Sequence, residues 1–341
     1  MHGRVGQCES GGRAVAREGR ERVVKIVETA RIREPIPAVV CIGVFDGVHL
    51  GHREVIGGCV EEALRLGRAS AVITFENDPE SVLSPERRVP QLSSLEQKRR
   101  LISLLGPDYL VSLLFTPELA ALSPQEFLDD YLLRTFRPAE LVVGANFRFG
   151  AGGTGDVEVL RGYGSLHGFD VAAMPLLSFD GRPISSTRIR ALLGEGRVSE
   201  AGRLLGRPYA LAGEVVAGSG RGGELGFHTA NVAVDPALCV PCPGVYAGAM
   251  TAEGREWPAA VNVGTRPTFE EEGAVWVEAH AIGMDGVDLY GARIEIVFLE
   301  RLRDERRFAG REELAEQIAA DARVAVTVFE RRLGRGRGDV P

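Results

Sequence analysis

Cysteine is scarce: the chain has five, Cys8, Cys41, Cys59, Cys239 and Cys242, an odd and scattered set. That excludes a disulfide framework and fits a reducing compartment, so the protein is expected in the cytoplasm. Cys239 and Cys242 form a lone C-x-x-C without the second pair that a structural zinc site needs. Long apolar runs are also missing. No stretch approaches the ~20 residues of a membrane-spanning helix, so no membrane partner is expected. Positive charge is in deficit: 40 Lys and Arg against 47 Asp and Glu give a formal net charge of −7. Nucleic-acid binders carry the opposite balance, so none of that class is expected as a partner. Phosphate ligands stay open, because a phosphate site needs only a local cluster of N–H donors and cations. Residues 1–22 are rich in Gly, Arg and Glu and lack the apolar core of a secretory signal. Residues 1–35 are therefore read as a disordered leader. Oligomeric state is not readable.

What is present has room for two domains, at 341 residues and 45% hydrophobic. From 38 to 193, apolar β-branched runs at 38–45, 70–75, 109–115, 140–144 and 170–174 alternate with helix-period segments. Continuous apolar strands separated by helices predict a doubly wound, Rossmann-like α/β domain over 36–195. The pattern changes near Gly194. Six short β-rich runs between 210 and 299 predict a small six-stranded barrel, followed by a helix over 311–333. The second domain is set at 207–333, with a tail at 334–341.

Histidine is rare, six in all, and two of the six fall in one turn: Gly43-Val-Phe-Asp-Gly-Val-His-Leu-Gly-His52. The turn joins the first strand to the first helix. Gly43, Gly47 and Gly51 let backbone approach a ligand closely. His49 and His52 stand beside helix-terminal N–H groups that hold anions, and can stabilise charge on an α-phosphate during nucleotidyl transfer. A bland reading, two surface histidines on a turn, competes for any isolated pair. Ile184-Ser-Ser-Thr-Arg-Ile-Arg190 opens the last helix of the same domain. Ser185, Ser186 and Thr187 are capping residues. Arg188 and Arg190 oppose the helix dipole, a conflict that a bound polyphosphate resolves and that two solvated arginines explain equally well. Between these segments, Gly144-Ala-Asn-Phe-Arg-Phe-Gly150 is a Gly-flanked aromatic loop suited to an adenine or flavin ring, or simply a packed β–α loop.

In the second domain, Gly218, Gly220, Gly222, Gly223 and Gly226 punctuate a loop able to fold over phosphates, or a flexible hairpin. Thr229 and Asn231 offer neutral oxygens to Mg²⁺. On the strand Val277-Glu-Ala-His280, Glu278 is a candidate general base or a rim charge.

Taken together, the segments from 43 to 190 resemble, in order and spacing, the adenylyltransferase half of prokaryotic bifunctional riboflavin kinase/FAD synthetases. The barrel is similar to their kinase half through Gly226-Phe-His-Thr-Ala-Asn231, Gly244-Val-Tyr246, Gly264-Thr-Arg-Pro-Thr-Phe269, Val277-Glu-Ala-His280, Leu289-Tyr-Gly291 and Arg303-Asp-Glu-Arg-Arg-Phe308. The resemblance implies phosphorylation of riboflavin to FMN and adenylylation of FMN to FAD, with ATP and Mg²⁺. By position it implies that Gly43, Phe45, His49, Gly51, His52, Asn146, Ser185, Ser186, Thr187, Arg188 and Arg190 surround ATP in the first domain. It implies that the Gly-rich loop, Thr229 and Asn231 bind Mg²⁺–ATP in the second, and that Glu278 takes the proton of the ribityl 5′-hydroxyl. Two departures stand out. His228 replaces a proline, which is expected to loosen the loop and weaken the kinase. Glu76-Asn-Asp-Pro79 replaces E-P-H-P, and Asp78 is expected to weaken phosphate binding. The sequence leaves three rival readings open: one silenced half, a non-catalytic flavin binder, or a nucleotidyltransferase with another acceptor.

Overall fold

The structure, a computed structural model, describes residues 24–27, 34–217, 229–265, 275–284, 287 and 289–335. In the first domain the strands are β1 (Lys25–Val27), β2 (Ile36–Ile42), β3 (Ala69–Phe75), β4 (Tyr109–Leu113), β5 (Phe136–Gly144) and β6 (Asp170–Met174). They form one parallel sheet in the order β1-β4-β3-β2-β5-β6. Residues 38–42 of β2 are at most 2% exposed, as a central strand covered on both faces must be. Helices α1 (Leu50–Leu66), α2 (Pro79–Leu83), α3 (Leu95–Ser103), α4 (Pro117–Ala121), α5 (Pro124–Phe127) and α6 (Val157–His167) connect the strands. The segment read as one helix over 124–133 is α5 followed by a π-helical stretch, Leu128–Leu133. The chain runs outward from β2 through β3 and β4, then returns to place β5 on the other side. The ends of β2 and β5 are therefore the topological switch point, where open parallel sheets bind ligands.

Two elements differ from expectation. β1 lies inside the segment read as a disordered leader, and its backbone pairs with residues 109–111 of β4. Three residues bracketed by Arg and Glu carry too little periodicity to be seen in sequence. Residues 196–206, left between the domains, hold α8 (Val198–Leu205) directly after α7 (Ser186–Gly194). Val198, Ala201, Leu204 and Leu205 of α8 join the interior of the second domain.

A two-stranded hairpin of β7 (Ser178–Phe179) and β8 (Arg182–Pro183) precedes α7, and the second domain is a closed barrel of β9 (Tyr209–Val216), β10 (Thr229–Val234), β11 (Gly244–Ala252), β12 (Arg255–Thr265), β13 (Val275–Ala281) and β14 (Arg293–Arg303). Closure leaves no open sheet edge. Helix α9 (Arg311–Arg335) covers its outside, where Ala325 and Val328 meet Ala247 and Ala260. The domains share one apolar cluster: Leu92 and the α7–α8 residues pack with Tyr209, Leu211 and Leu238 of the barrel. Backbone pairs cross the junction too, Gln91 N–H to Ala237 O at 2.7 Å and Cys239 N–H to Gln91 O at 2.8 Å.

Candidate active sites

The ends of β2 and β5 open into a cavity of about 520 Å³, a size typical of ligand clefts. Gly43, Phe45, His49, Gly51 and His52 line it from the β2 side, Gly144 and Asn146 from the β5 side, and Ser185 and Ser186 from the start of α7. The turn from β2 into α1 is strained: Phe45, Gly47 and Val48 have φ of 51°, 75° and 40°. Glycine suits position 47, where a Cβ would also sit 2.9 Å from Leu92. His49 caps α1, and its Nδ1 accepts the backbone N–H of His52 at 3.2 Å. With Nδ1 so used, the neutral ring carries its proton on Nε2 as a donor. The two imidazoles stack at 3.5 Å, and Phe45 stands edge-on to His52 at 5.3 Å. Burial pushes His49 down to about 4 and pushes His52 well below its ordinary value, so both rings are neutral at pH 7. Neither α1 nor α7 has an acid in its first turn, which leaves two helix N-termini free of carboxylate at the cavity.

The cavity wall is otherwise aromatic and aliphatic. Phe75 and Phe115 meet edge to face at 5.4 Å, and Phe147 and Phe149 stack at 5.5 Å. Leu83, Leu119 and Phe127 complete that lining.

In the barrel, antiparallel pairing sets Asn231 opposite Glu278, and Asn262 pairs with Glu278 from the other side. Val277 and Ala279 point into the interior, which leaves Glu278 half-buried on the other face. Thr229 Oγ1 donates to the Glu278 carboxylate. Asn231 is 7% exposed, and its Oδ1 is buried with no hydrogen-bond partner among the described residues. An orphaned buried oxygen beside a hydroxyl and a carboxylate is an all-oxygen donor set that fits Mg²⁺. Among the described residues no cluster of three His, Cys, Asp or Glu is placed to hold a metal.

Two family models match: FAD synthetase over residues 31–188 and riboflavin kinase over residues 205–329. The bifunctional riboflavin kinase/FMN adenylyltransferase of Escherichia coli K12 is 37% identical over 85% of this chain and 92% of its own length. The chain belongs to the bifunctional riboflavin kinase/FMN adenylyltransferase family. The Bacillus subtilis member is 36% identical over 87% of this chain and 94% of its own. A solved structure, described as a macrolide-efflux protein from Streptococcus pneumoniae, superposes with a TM-score of 0.81 at 29% identity, covering 89% of this chain and 98% of that one. No helix among the described residues is long and apolar enough to cross a membrane.

Within this family fold, not every expected residue meets the cavity. Thr187, Arg188 and Arg190 do not line it. The Arg188 guanidinium donates to Phe179 O at 2.9 Å and Arg182 O at 3.0 Å, in a hairpin of Ser178–Phe179 with Arg182–Pro183. Arg190 donates to Pro90 O at 2.6 Å and pairs with Asp46 at 2.7 Å. Carbonyls and a carboxylate thus answer the dipole conflict that a polyphosphate was expected to resolve. Asp46, 5% exposed and also accepting Leu92 N–H at 2.9 Å, was not singled out in the sequence. Neither was Lys98, 3% exposed, whose Nζ donates to Phe75 O at 2.5 Å and Val44 O at 3.4 Å, tying the ends of β3 and β2.

The expected harm from Asp78 finds no geometric basis. Asp78 does not line the cavity: it caps α2 through Glu80 N–H at 3.0 Å and lies 3.8 Å from Arg190. Helix dipole and guanidinium absorb its charge. Asn77 bridges the N–H and O of Phe115 at 2.8 and 2.9 Å, fixing that cavity residue. Gly218, Gly220, Gly222, Gly226 and His228 lie outside the described residues. Cys239 and Cys242 are free thiols.

Proposed function

We propose that the switch-point cavity performs FMN adenylylation and that the Thr229–Asn231–Glu278 cluster performs riboflavin phosphorylation, the two activities of the family. In the first site an oxygen of the FMN phosphate attacks the α-phosphorus of ATP, and pyrophosphate leaves. His49 and His52, neutral and stacked, offer ring N–H donors to charge growing on the α-phosphoryl oxygens. The acid-free N-termini of α1 and α7 add backbone donors. The aromatic wall from Phe115 to Phe149 suits the isoalloxazine ring.

In the barrel, Glu278 takes the proton of the 5′-hydroxyl as that oxygen attacks the γ-phosphorus and ADP leaves. Thr229 and Asn231 would hold Mg²⁺, which neutralises phosphate charge when bound. Cytoplasmic residence fits substrates such as ATP. The meeting of Glu278, Thr229 and Asn231, from two paired strands, carries the kinase assignment.

Glu278→Gln tests it. Riboflavin phosphorylation is expected to fall at least about 100-fold, the low end for losing a general base. FAD formation from added FMN should stay at the wild-type rate. Phosphorylation surviving within threefold would remove Glu278 from the mechanism.

A further inference from the structure

We propose that Arg207, in the connection between the two domains, is a positioning residue for adenylyl transfer, holding the strained turn that presents His49. The inference rests on assigning that reaction to the switch-point cavity.

Arg207 belongs to neither predicted motif. It follows Gly206, which ends α8 at φ 69° and packs so tightly on the start of α1 that a Cβ there would sit 2.5 Å from Leu50. That contact fixes where the next side chain begins. From there the guanidinium reaches across the domain boundary: Nη2 donates to Gly47 O at 2.8 Å, and Nη1 to Val48 O and Leu205 O at 3.4 Å. Among the described residues it makes no ion pair; every bond in this set goes to a backbone carbonyl. Burial lowers its pKa to about 10, so the charge is held there against its own solvation.

Two of the three carbonyls it holds, those of Gly47 and Val48, belong to the turn in which Phe45, Gly47 and Val48 all have positive φ. For a β-branched residue such as Val48 this is a genuine outlier, and such backbone persists only where its surroundings over-determine it. The surroundings here are specific. Ser93 Oγ accepts Gly47 N–H at 3.2 Å, Ser186 Oγ donates to Asp46 O at 3.1 Å, and Arg207 takes the outward carbonyls. The Val48 carbonyl and the His49 N–H share one planar peptide unit. Fixing that oxygen therefore orients the residue that caps α1 and stacks on His52. Ser93 and Ser186 belong to the first domain; Arg207 sits at the threshold of the barrel, two residues before Tyr209 opens β9. The nucleotidyl-transfer turn is thus completed by a cation that comes with the kinase domain.

The test uses the full chain carrying Arg207→Ala or Arg207→Lys, with both reactions measured separately: FAD from FMN, and FMN from riboflavin. For Arg207→Ala, kcat for FAD formation is expected to fall about 100-fold, the scale of a sub-ångström to ångström misplacement, with KM values within about threefold. Riboflavin phosphorylation should stay within about twofold, reporting an intact fold. Arg207→Lys keeps the charge and can reach one carbonyl, so it should recover about tenfold of the loss. If Arg207→Ala does not fold, the lysine variant decides: a selective loss of FAD formation of about tenfold supports the assignment. FAD formation unchanged in the variants, or both reactions falling together, would overturn it. Wild-type protein that makes no FAD from FMN would instead remove the reading on which it rests.

Discussion

The Asp46–Arg190 pair allows a quantitative prediction. Its charges are largely removed from water, with side chains 7% and 16% exposed and 2.7 Å between them. The Asp46 carboxyl is raised by burial more than Arg190 lowers it, so desolvation is the larger influence. Asp46→Asn keeps an acceptor for Leu92 N–H but leaves Arg190 with only Asp78, at 3.8 Å, as counter-charge. Breaking a buried pair costs about 3–5 kcal/mol, and the residual Asp78 contact sets the expectation at about 3. Removing both charges, with Asp46→Asn and Arg190→Gln together, should cost only about 1 kcal/mol, because the guanidinium is no longer left without its partner and Asp78 keeps the N-terminus of α2. Both tryptophans, Trp257 and Trp276, lie in barrel strands, so tryptophan fluorescence follows the barrel while far-UV circular dichroism follows both domains. In urea the circular-dichroism midpoint of the single variant should fall by about 1.5 M, at a slope of about 2 kcal/mol per molar. A shift below about 0.3 M, or a double variant as unstable as the sum of the singles, would refute the assignment of a coupled buried pair.

Two further outcomes follow from the cavity. His49 is buried, with its pKa pushed from 6.5 to about 4. The native state therefore binds fewer protons than the unfolded chain between those values, and stability must fall as pH drops through the window. The share of this loss due to His49 reaches about 3 kcal/mol at the acid end of the window and is absent above 6.5. His52, also buried, adds a loss of the same sign, so His49→Asn should reduce the acid destabilisation without abolishing it, and an unchanged acid profile would contradict the burial. Phe115→Ala removes a ring from the wall that faces the proposed flavin. KM for FMN should rise about tenfold while KM for riboflavin in phosphorylation does not move; a matching rise in both would displace the flavin ring from this wall.

The alternation of buried strands and helices in the first domain was legible because a doubly covered parallel sheet writes continuous apolar runs into the sequence. The six barrel strands were legible through turn spacing. Helix α8 was not, since eight residues between Gly196 and Gly206 read as a connection until their apolar face meets the barrel interior. His49, His52 and Asn146, which local pattern singles out, line one cavity because strand-end loops at a switch point converge by topology. Arg188 and Arg190 were read through their position on the helix, whereas their partners come from residues 90, 46 and the 178–183 hairpin. Asp46, Lys98 and Arg207 act through backbone carbonyls or charges distant in sequence, and no local periodicity encodes such pairings. The aromatic wall proposed for the flavin ring is assembled from separate loops; only Phe147 and Phe149 lie in a segment whose composition points to a ring.

The most direct test of bifunctionality is one incubation of the full chain with riboflavin, ATP and Mg²⁺, with riboflavin, FMN and FAD separated by chromatography over time. FMN should rise first and FAD should follow at its expense, as two working sites in sequence require. FMN that accumulates without FAD, or riboflavin that stays unchanged while added FMN is converted, would contradict a chain with both halves active.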